Sequence, residues 1–90
     1  MNTYNEFIDY LDNLAADYNL YVYCEANGKR VFDCTVSLGD VYVEDNMLTV
    51  SRWDLQFDIP LTEVVKDENE FTGEDVFIIN PGGLFKFLIS

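Results

Sequence analysis

The spacing of the apolar residues changes at Leu20, from a helical period to an alternating one. Between Tyr4 and Tyr18 apolar side chains recur every three or four residues, which places them on one face of a helix. Thr3 and Glu6 fit a capping box, in which each side chain accepts a hydrogen bond from the other residue's backbone amide. From Leu20 onwards apolar and polar residues alternate, as they do in strands with one buried face. We therefore predict an N-terminal amphipathic helix from about Tyr4 to Tyr18, followed by strands.

The first two strands are predicted to form a hairpin around Asn27 and Gly28. A two-residue loop at these positions pairs Val22 with Asp33, and so mixes a core position with a solvent position. A three-residue loop over residues 26–28, with Gly28 in a bulge, pairs Val22 with Phe32 instead. We predict the three-residue loop because it keeps the apolar residues on one face.

The two cysteines, Cys24 and Cys34, lie within these alternating segments. In the predicted register Cys24 is opposite Arg30, about 13 Å along the strand from Cys34, which is too far for a disulfide. Two cysteines without a histidine also cannot form the usual zinc sites. We predict two buried thiols.

The segment from Val41 to Val50 predicts a second hairpin. A two-residue loop pairs Val43 with Leu48 and Val41 with Val50, which keeps the apolar residues together. At residues 51–52 the alternation slips by one position, which predicts a bulge or bend before the next strand.

The remaining chain predicts two or more further strands. Pro60 is expected to end the strand before it, and residues 61–65 are ambiguous between a helical turn and a strand. Residues 66–75 are predicted to be a loop or an exposed sheet edge. A buried strand over residues 76–79 and a turn then lead to a last strand at residues 84–89.

This order of elements indicates an α+β fold formed by a single domain, residues 1–90. We expect the helix to cover a curved antiparallel meander of about five to six strands, or a partly closed barrel. The order of elements resembles that of the small SH3-like and Sm-like barrels. Sm-like proteins bind RNA through basic and polar loops, which this chain lacks, so their function is not expected here.

The balance of charge restricts the partners. The chain has 17 acidic and 5 basic residues, no histidine and a net charge of -12. Such a surface repels phosphate groups and anionic lipid, so we expect no direct binding to nucleic acid or membrane. No apolar segment approaches the length that crosses a bilayer, and the expected location is the cytosol of a host cell. The favoured partner is a basic protein.

The sequence predicts no catalytic residues, no metal site and no cofactor. Histidine is absent, and so are the motifs of serine hydrolases, phosphate-binding loops and zinc proteases. The carboxylates occupy exposed positions, where water keeps them ionised and unsuited to acid and base catalysis. Asp67, Asn69 and Phe71 fall at the first, third and fifth places of an EF-hand loop, but Phe71 and Thr72 break its requirements.

The acids themselves are the candidate functional residues. Those on the helix have no basic residue three or four positions later, although such pairs would stabilise a helix. Asp17 lies near the negative end of the helix dipole. Acids repeat every ~5–6 Å along a helix face and every ~6.6 Å along a strand face, which suits them to stand in for backbone phosphates. The predicted partner-binding residues are Glu6, Asp9, Asp12, Asp17, Asp67, Glu68, Glu70, Glu74 and Asp75.

Four aromatic residues lie outside the regular apolar face: Tyr21, Tyr23, Tyr42 and Trp53. They are expected either to anchor a protein partner or to pack as a second buried face.

In size, acidity and lack of motifs, the chain resembles the compact acidic anti-CRISPR and other DNA-mimic inhibitors of phages and mobile elements. This resemblance implies a non-enzymatic inhibitor that occupies the nucleic-acid-binding groove of a defence nuclease, such as a CRISPR effector. A bacterial immunity protein that neutralises a nuclease toxin has the same electrostatics and remains an alternative. A structural or assembly module of a phage or cell is another, and the chain is expected to be a monomer or a dimer.

Overall fold

The computed structural model describes residues 3–68 and 70–90. Within them the chain forms one α-helix and eight strands. These elements are α1 (Tyr4–Asp12), β1 (Asn19–Ala26), β2 (Lys29–Ser37), β3 (Val41–Glu44), β4 (Met47–Arg52), β5 (Leu55–Pro60), β6 (Val64–Glu68), β7 (Asp75–Ile79) and β8 (Lys86–Ile89).

The strands form two open antiparallel sheets. The larger sheet has the order β2-β1-β8-β7-β6, and the smaller sheet has the order β3-β4-β5. The C-terminal strand β8 pairs with both β1 and β7, so the chain does not follow one continuous meander. The α+β class is confirmed. The described residues form eight strands rather than five to six, and the partly closed barrel is not confirmed because neither sheet closes.

The core lies between the inner faces of the two sheets, with α1 packed beside β6 and β7. Phe32 and Phe57 meet across the two sheets, with ring centroids 5.6 Å apart. The Arg52 guanidinium also joins them, because it donates a hydrogen bond to the Thr35 carbonyl at 3.0 Å. Alternating residues of the predicted strands supply half of this core, whereas Phe32, which belongs to the same alternation, is exposed. The core contains Phe7, Leu20, Val22, Val36, Leu48, Val50, Ile59, Leu61, Val64, Phe77, Ile79 and Ile89.

Helix α1 begins where predicted, but without the capping box. The Thr3 hydroxyl donates to the Val64 carbonyl at 2.8 Å instead, and the Thr3 amide donates to the same oxygen at 2.7 Å. This contact fastens the start of the helix to β6.

The helix ends at Asp12, and the prediction that it reaches Tyr18 is wrong. Its last turn carries no basic residue to offset the negative end of the helix dipole, and Asp12 lies at that end. Leu14 and Tyr18 still pack against the core, but from a turn.

The hairpin of β1 and β2 has the two-residue loop that the sequence analysis rejected. Asn27 and Gly28 have φ values of 54° and 74°, as a type I′ turn requires. Cys24 pairs with Phe32 while Glu25 pairs with Arg30, so Val31 is an extra residue in a bulge. This bulge restores the apolar face that a regular two-residue hairpin would have broken. The predicted pairing of Val22 with Phe32 is therefore wrong, and Val22 pairs with Cys34.

The cysteines are both free, and Cys24 is buried as predicted while Cys34 is half-buried. Cys24 lies opposite Phe32 rather than Arg30.

The hairpin of β3 and β4 has the predicted register, with Val43 opposite Leu48 and Val41 opposite Val50. The expected bulge near residues 51–52 is instead a tight turn, because Arg52 pairs with Leu55 across Trp53 and Asp54. The Arg52 Nε atom lies 2.6 Å from Asp54 Oδ1, which fixes this turn. Trp53 is 94% exposed at its tip.

The acidic segment over residues 66–75 is partly an edge strand, as one of its predicted alternatives allowed. Lys66, Asp67 and Glu68 belong to β6, which is the outer strand of the larger sheet, and Asp75 begins β7. Asn69, a position of the EF-hand loop considered above, lies outside the described residues.

In the part of the chain that the structure describes, no helix is long and apolar enough to span a membrane.

Candidate acidic interaction surface

Aromatic contacts set the position of α1 on the larger sheet. Phe7 and Tyr10 both pack on Phe77 of β7, with ring centroids 5.1 and 5.0 Å apart. Together with the hydrogen bonds from Thr3 to Val64, these contacts hold the helix beside β6 and β7. The acidic side chains of α1 are therefore carried next to those of the two strands.

Lys66 lies at the centre of the acids that meet there. Its Nζ atom is 3.7 Å from Glu6 Oε2 and 3.7 Å from Asp75 Oδ2, and all three side chains are at least two-fifths exposed. Glu6, Asp9, Lys66 and Asp75 line one shallow depression of about 500 Å³. Two carboxylates thus contact this ammonium group and a third lines the same depression, so the site keeps a negative balance.

Glu68 adds a further acid to this cluster. It lies directly opposite Asp75 in the antiparallel pair β6 and β7, on the face that also carries Lys66. Side chains in such positions have Cβ atoms about 4.5–5.5 Å apart, and like charges there destabilise a sheet. The fold therefore places two like charges at adjacent positions on this face of the sheet.

A second depression, of about 290 Å³, continues this surface towards the end of β8. It is lined by Tyr10, Tyr18, Glu74 and Asp75, among others. Burial raises the pKa of Tyr10, and its hydrogen bond with Tyr18 and the charges of Glu74 and Asp75 raise it further. We call Glu6, Asp9, Glu68, Glu74 and Asp75 the acidic surface.

The other predicted partner-binding residues lie elsewhere. Asp12 lines a groove on the opposite flank of α1, and Asp17 is exposed in the turn before β1. Asp67 lies on the opposite face of β6 from Glu68, and Glu70 is exposed in the turn that follows this strand. The structure thus brings together five of the nine predicted acids and separates Asp12, Asp17, Asp67 and Glu70 from them.

Among residues 3–68 and 70–90, no three cysteine, aspartate or glutamate side chains are arranged to hold a metal ion.

The outer face of the larger sheet carries an apolar row that was not predicted from the sequence. Tyr23, Leu88, Ile78 and Val65 are successive cross-strand partners in β1, β8, β7 and β6, and all are half-buried. The core, α1 and the smaller sheet lie on the other face. The continuous apolar run at residues 76–79 contained the available signal, because a strand apolar on both faces needs a contact for each face.

The four aromatic residues considered as anchors lie in different places. Tyr21 and Tyr23 belong to the outer face of the larger sheet, whereas Tyr42 is on β3 and Trp53 is at a turn. Partial burial and then the carboxylate of Asp33 raise the pKa of Tyr21. Partial burial and then Glu25 raise the pKa of Tyr23.

Comparisons of the chain with models of protein families, with curated proteins and with solved structures found no match.

Proposed function

We propose that this protein is an acidic, non-enzymatic inhibitor that binds the basic nucleic-acid-binding groove of a defence nuclease, such as a CRISPR effector. It acts as a nucleic-acid mimic, with the acidic surface in the position that phosphate groups would occupy. The partner is a basic, nucleic-acid-processing protein, and inhibition is stoichiometric and needs no cofactor.

The observation that carries this proposal is the direct opposition of Glu68 and Asp75 beside Glu6 and Asp9. Opposed carboxylates destabilise a sheet, and Lys66 is the one cation in contact with Glu6 and Asp75 in the described residues. A basic partner relieves this repulsion when it binds. Because a bound cation reduces the repulsion among these acids, the acidic surface should bind cations more tightly than widely separated carboxylates would.

The elements that carry these acids also support the proposal. Glu6, Asp9, Glu68 and Asp75 are placed by a helix and two paired strands, and Glu74 directly precedes β7, so most of their spacing is fixed before a partner arrives. Rigid charges lose little conformational freedom on binding, which favours affinity. Long-range attraction between opposite charges raises the rate of encounter at low salt.

The experiment is a pull-down from host lysate with the purified chain at roughly 50 mM and roughly 500 mM salt, followed by mass spectrometry. We expect a basic nucleic-acid-processing protein that is retained at low salt and lost at high salt. Duplex DNA or guide RNA should displace it. A partner that binds the protein and nucleic acid together would overturn mimicry, and a toxin nuclease as partner would indicate an immunity protein.

A matched pair of variants makes this test specific. Glu68→Gln with Asp75→Asn removes two charges from the acidic surface, whereas Asp45→Asn with Glu63→Gln removes two charges from exposed positions that line neither of its depressions. We expect the first pair to weaken capture at least about tenfold, as for the loss of charged contacts, and the second pair to have little effect. Equal effects would show that net charge alone, and not this surface, determines binding.

The apolar row of Tyr23, Leu88, Ile78 and Val65 favours the second candidate, an assembly module. Such a module would associate through this face with little dependence on salt. Sizing chromatography at both salt concentrations distinguishes the two functions, because salt-independent self-association that Leu88→Lys abolishes would favour assembly.

A further inference from the structure

A groove of about 610 Å³ lies between α1 and β3, on the other flank of the helix from the acidic surface. Tyr4, Ile8 and Leu11 form one wall, because their spacing places them on one stripe of α1. Val41 and Val43 of β3 form the opposite wall, and both are half-buried. Asp12 is the acidic residue that lines the groove.

The strand wall of this groove is also a sheet edge. β3 is the outer strand of the smaller sheet, and among residues 3–68 and 70–90 it pairs with β4. Asp45 and Asn46 form a two-residue loop, so Glu44 and Met47, which flank it, form a hydrogen-bonded pair.

The hydrogen-bonding direction alternates along an antiparallel pair. Val43 and Leu48 therefore form a non-hydrogen-bonded pair, and the N–H and C=O groups of Val43 point away from β4. These groups face the open edge while the Val43 side chain lines the groove. An added strand would find backbone partners and an apolar pocket at the same place.

We propose that this groove binds an extended peptide segment of a partner protein, which adds to β3 as a further strand. The segment alternates apolar and basic residues. Its apolar side chains lie between Ile8 and Val43 on the groove face, and its basic side chains, on the opposite face, pair with Glu44. A basic residue at one end of the segment, beyond the strand pairing, pairs with Asp12.

The charge of the molecule favours a basic peptide over a second copy of this chain. A second copy would bring another Asp12 and another Glu44 to the same edge, and each chain has a net charge of -12. A peptide with lysines at alternate positions meets the opposite sign. This inference does not depend on the proposed function, because it uses a different flank of α1.

The test uses two isomeric, fluorescein-labelled peptides of alternating valine and lysine. One has its valine amides N-methylated and the other its lysine amides, so the methyl groups lie on opposite edges of the extended peptide. Both isomers have the same charge, and non-specific attraction to the acidic chain is therefore the same. Fluorescence polarisation should show one isomer binding at least about tenfold more tightly, since strand addition uses one edge. Equal affinities would overturn the proposal.

Variants of the protein then locate the site. Val43→Pro removes an N–H group that faces the open edge and leaves the pairing with β4 in place, so it should abolish the difference between the isomers. Asp12→Asn should weaken the preferred isomer several-fold, while Glu63→Gln, which does not line the groove, should not. Thermal unfolding confirms that each variant is folded.

Two outcomes would assign the groove differently. A difference between isomers that survives Val43→Pro would place strand addition at another sheet edge and overturn the proposal. Dimerisation of the protein without peptide, measured by analytical ultracentrifugation and abolished by Val43→Pro, would identify a second copy as the occupant and also overturn it.

Discussion

Lys66 is shared by acids from two different elements. Glu6 belongs to α1 and Asp75 to β7, and each is 3.7 Å from the lysine ammonium. Both ion pairs are exposed, so each one stabilises the fold only slightly. Their combined effect is to reduce repulsion between the helix and the sheet.

Replacing Lys66 should therefore destabilise the protein in a manner that depends on salt. For Lys66→Met we expect the free energy of unfolding to fall by about 0.2–1 kcal/mol at low ionic strength. The loss should shrink at high salt, where the repulsion among the acids is screened. Urea unfolding at two salt concentrations measures both values. Lys29→Met is the control at the end of the first hairpin, and an equal loss there would contradict the local explanation.

Asn80 links the end of the smaller sheet to the larger sheet. Its side-chain oxygen accepts hydrogen bonds from the amides of Thr62 and Glu63, each at 3.1 Å, and its side-chain amide donates to the Pro60 carbonyl at 2.6 Å. Its φ of 54° is one that asparagine tolerates better than most residues. The sequence showed a turn here but not these contacts, because the partners are 17 to 20 residues away.

Asn80→Ala should lower the free energy of unfolding by about 1–3 kcal/mol, since it removes several hydrogen bonds and places alanine at a positive φ. Asn80→Asp keeps the accepting oxygen and loses the donated bond to Pro60, so its effect should be intermediate. Chemical denaturation measures these values. The control, Asn5→Ala on an exposed helix position, should be neutral or slightly stabilising because alanine is the better helix former. A neutral Asn80→Ala variant would contradict the proposed link.

At the scale of elements, sequence predicted best where a local rule fixed the structure. The β3 and β4 hairpin was predicted to the residue because its two-residue loop agrees with the apolar alternation. The register of the β1 and β2 hairpin was not predicted, because no residue type in the sequence indicates the bulge at Val31. The turn at Trp53 and Asp54 was missed for a similar reason, since it contains no glycine or asparagine.

The bulge gives a prediction that distinguishes two single deletions. Deleting Val31 leaves Glu25 opposite Arg30 and Cys24 opposite Phe32, so the core register is kept. Deleting Thr35 instead shifts one part of β2 to the wrong face of the sheet. We expect the first variant to stay folded with a change of about 1 kcal/mol or less and the second to be severely destabilised. Thermal unfolding by circular dichroism compares them, and similar melting temperatures would contradict the assigned bulge.

The candidate site shows a similar division between what sequence predicts and what it does not. The excess of acids was evident from composition, but their grouping depends on how α1 packs against β6 and β7. That packing is set by contacts such as Phe7 with Phe77, whose residues lie far apart in the chain. For this reason Glu6 and Asp75 become neighbours, while Asp12, only six residues from Glu6, faces a different groove.

At the scale of the whole molecule, the net charge of -12 opposes folding and favours encounters with cations. The fold accommodates this charge by keeping its core apolar. Among residues 3–68 and 70–90, Thr49 is the one buried residue that is polar, and no charged residue is buried. Screening by salt should therefore have opposite effects on the two properties. It reduces self-repulsion within the chain, and it weakens attraction to a basic partner.

The free energy of unfolding should fall as the pH rises above neutrality, because tyrosine and cysteine side chains have raised pKa values in the folded protein. Burial raises the pKa of Tyr10, Cys24 and Cys34, and the pKa values of Tyr21 and Tyr23 are also raised. In the unfolded chain these groups lose their protons near their ordinary values, about 8.5 for cysteine and about 10 for tyrosine. Above those values the unfolded state binds fewer protons than the folded state, so the free energy of unfolding falls as pH rises.

We therefore expect stability to be highest on the neutral side of about pH 8.5 and to decline progressively towards about pH 11. Urea unfolding at constant ionic strength gives this slope, and the slope gives the number of protons that unfolding releases. Tyr10→Phe removes the group whose pKa is most raised, so its decline above about pH 10 should be shallower than that of the unsubstituted chain. A stability that is flat or rising over this range, or an unchanged slope in Tyr10→Phe, would contradict the assignment of Tyr10 as a neutral, half-buried phenol beside the acidic surface.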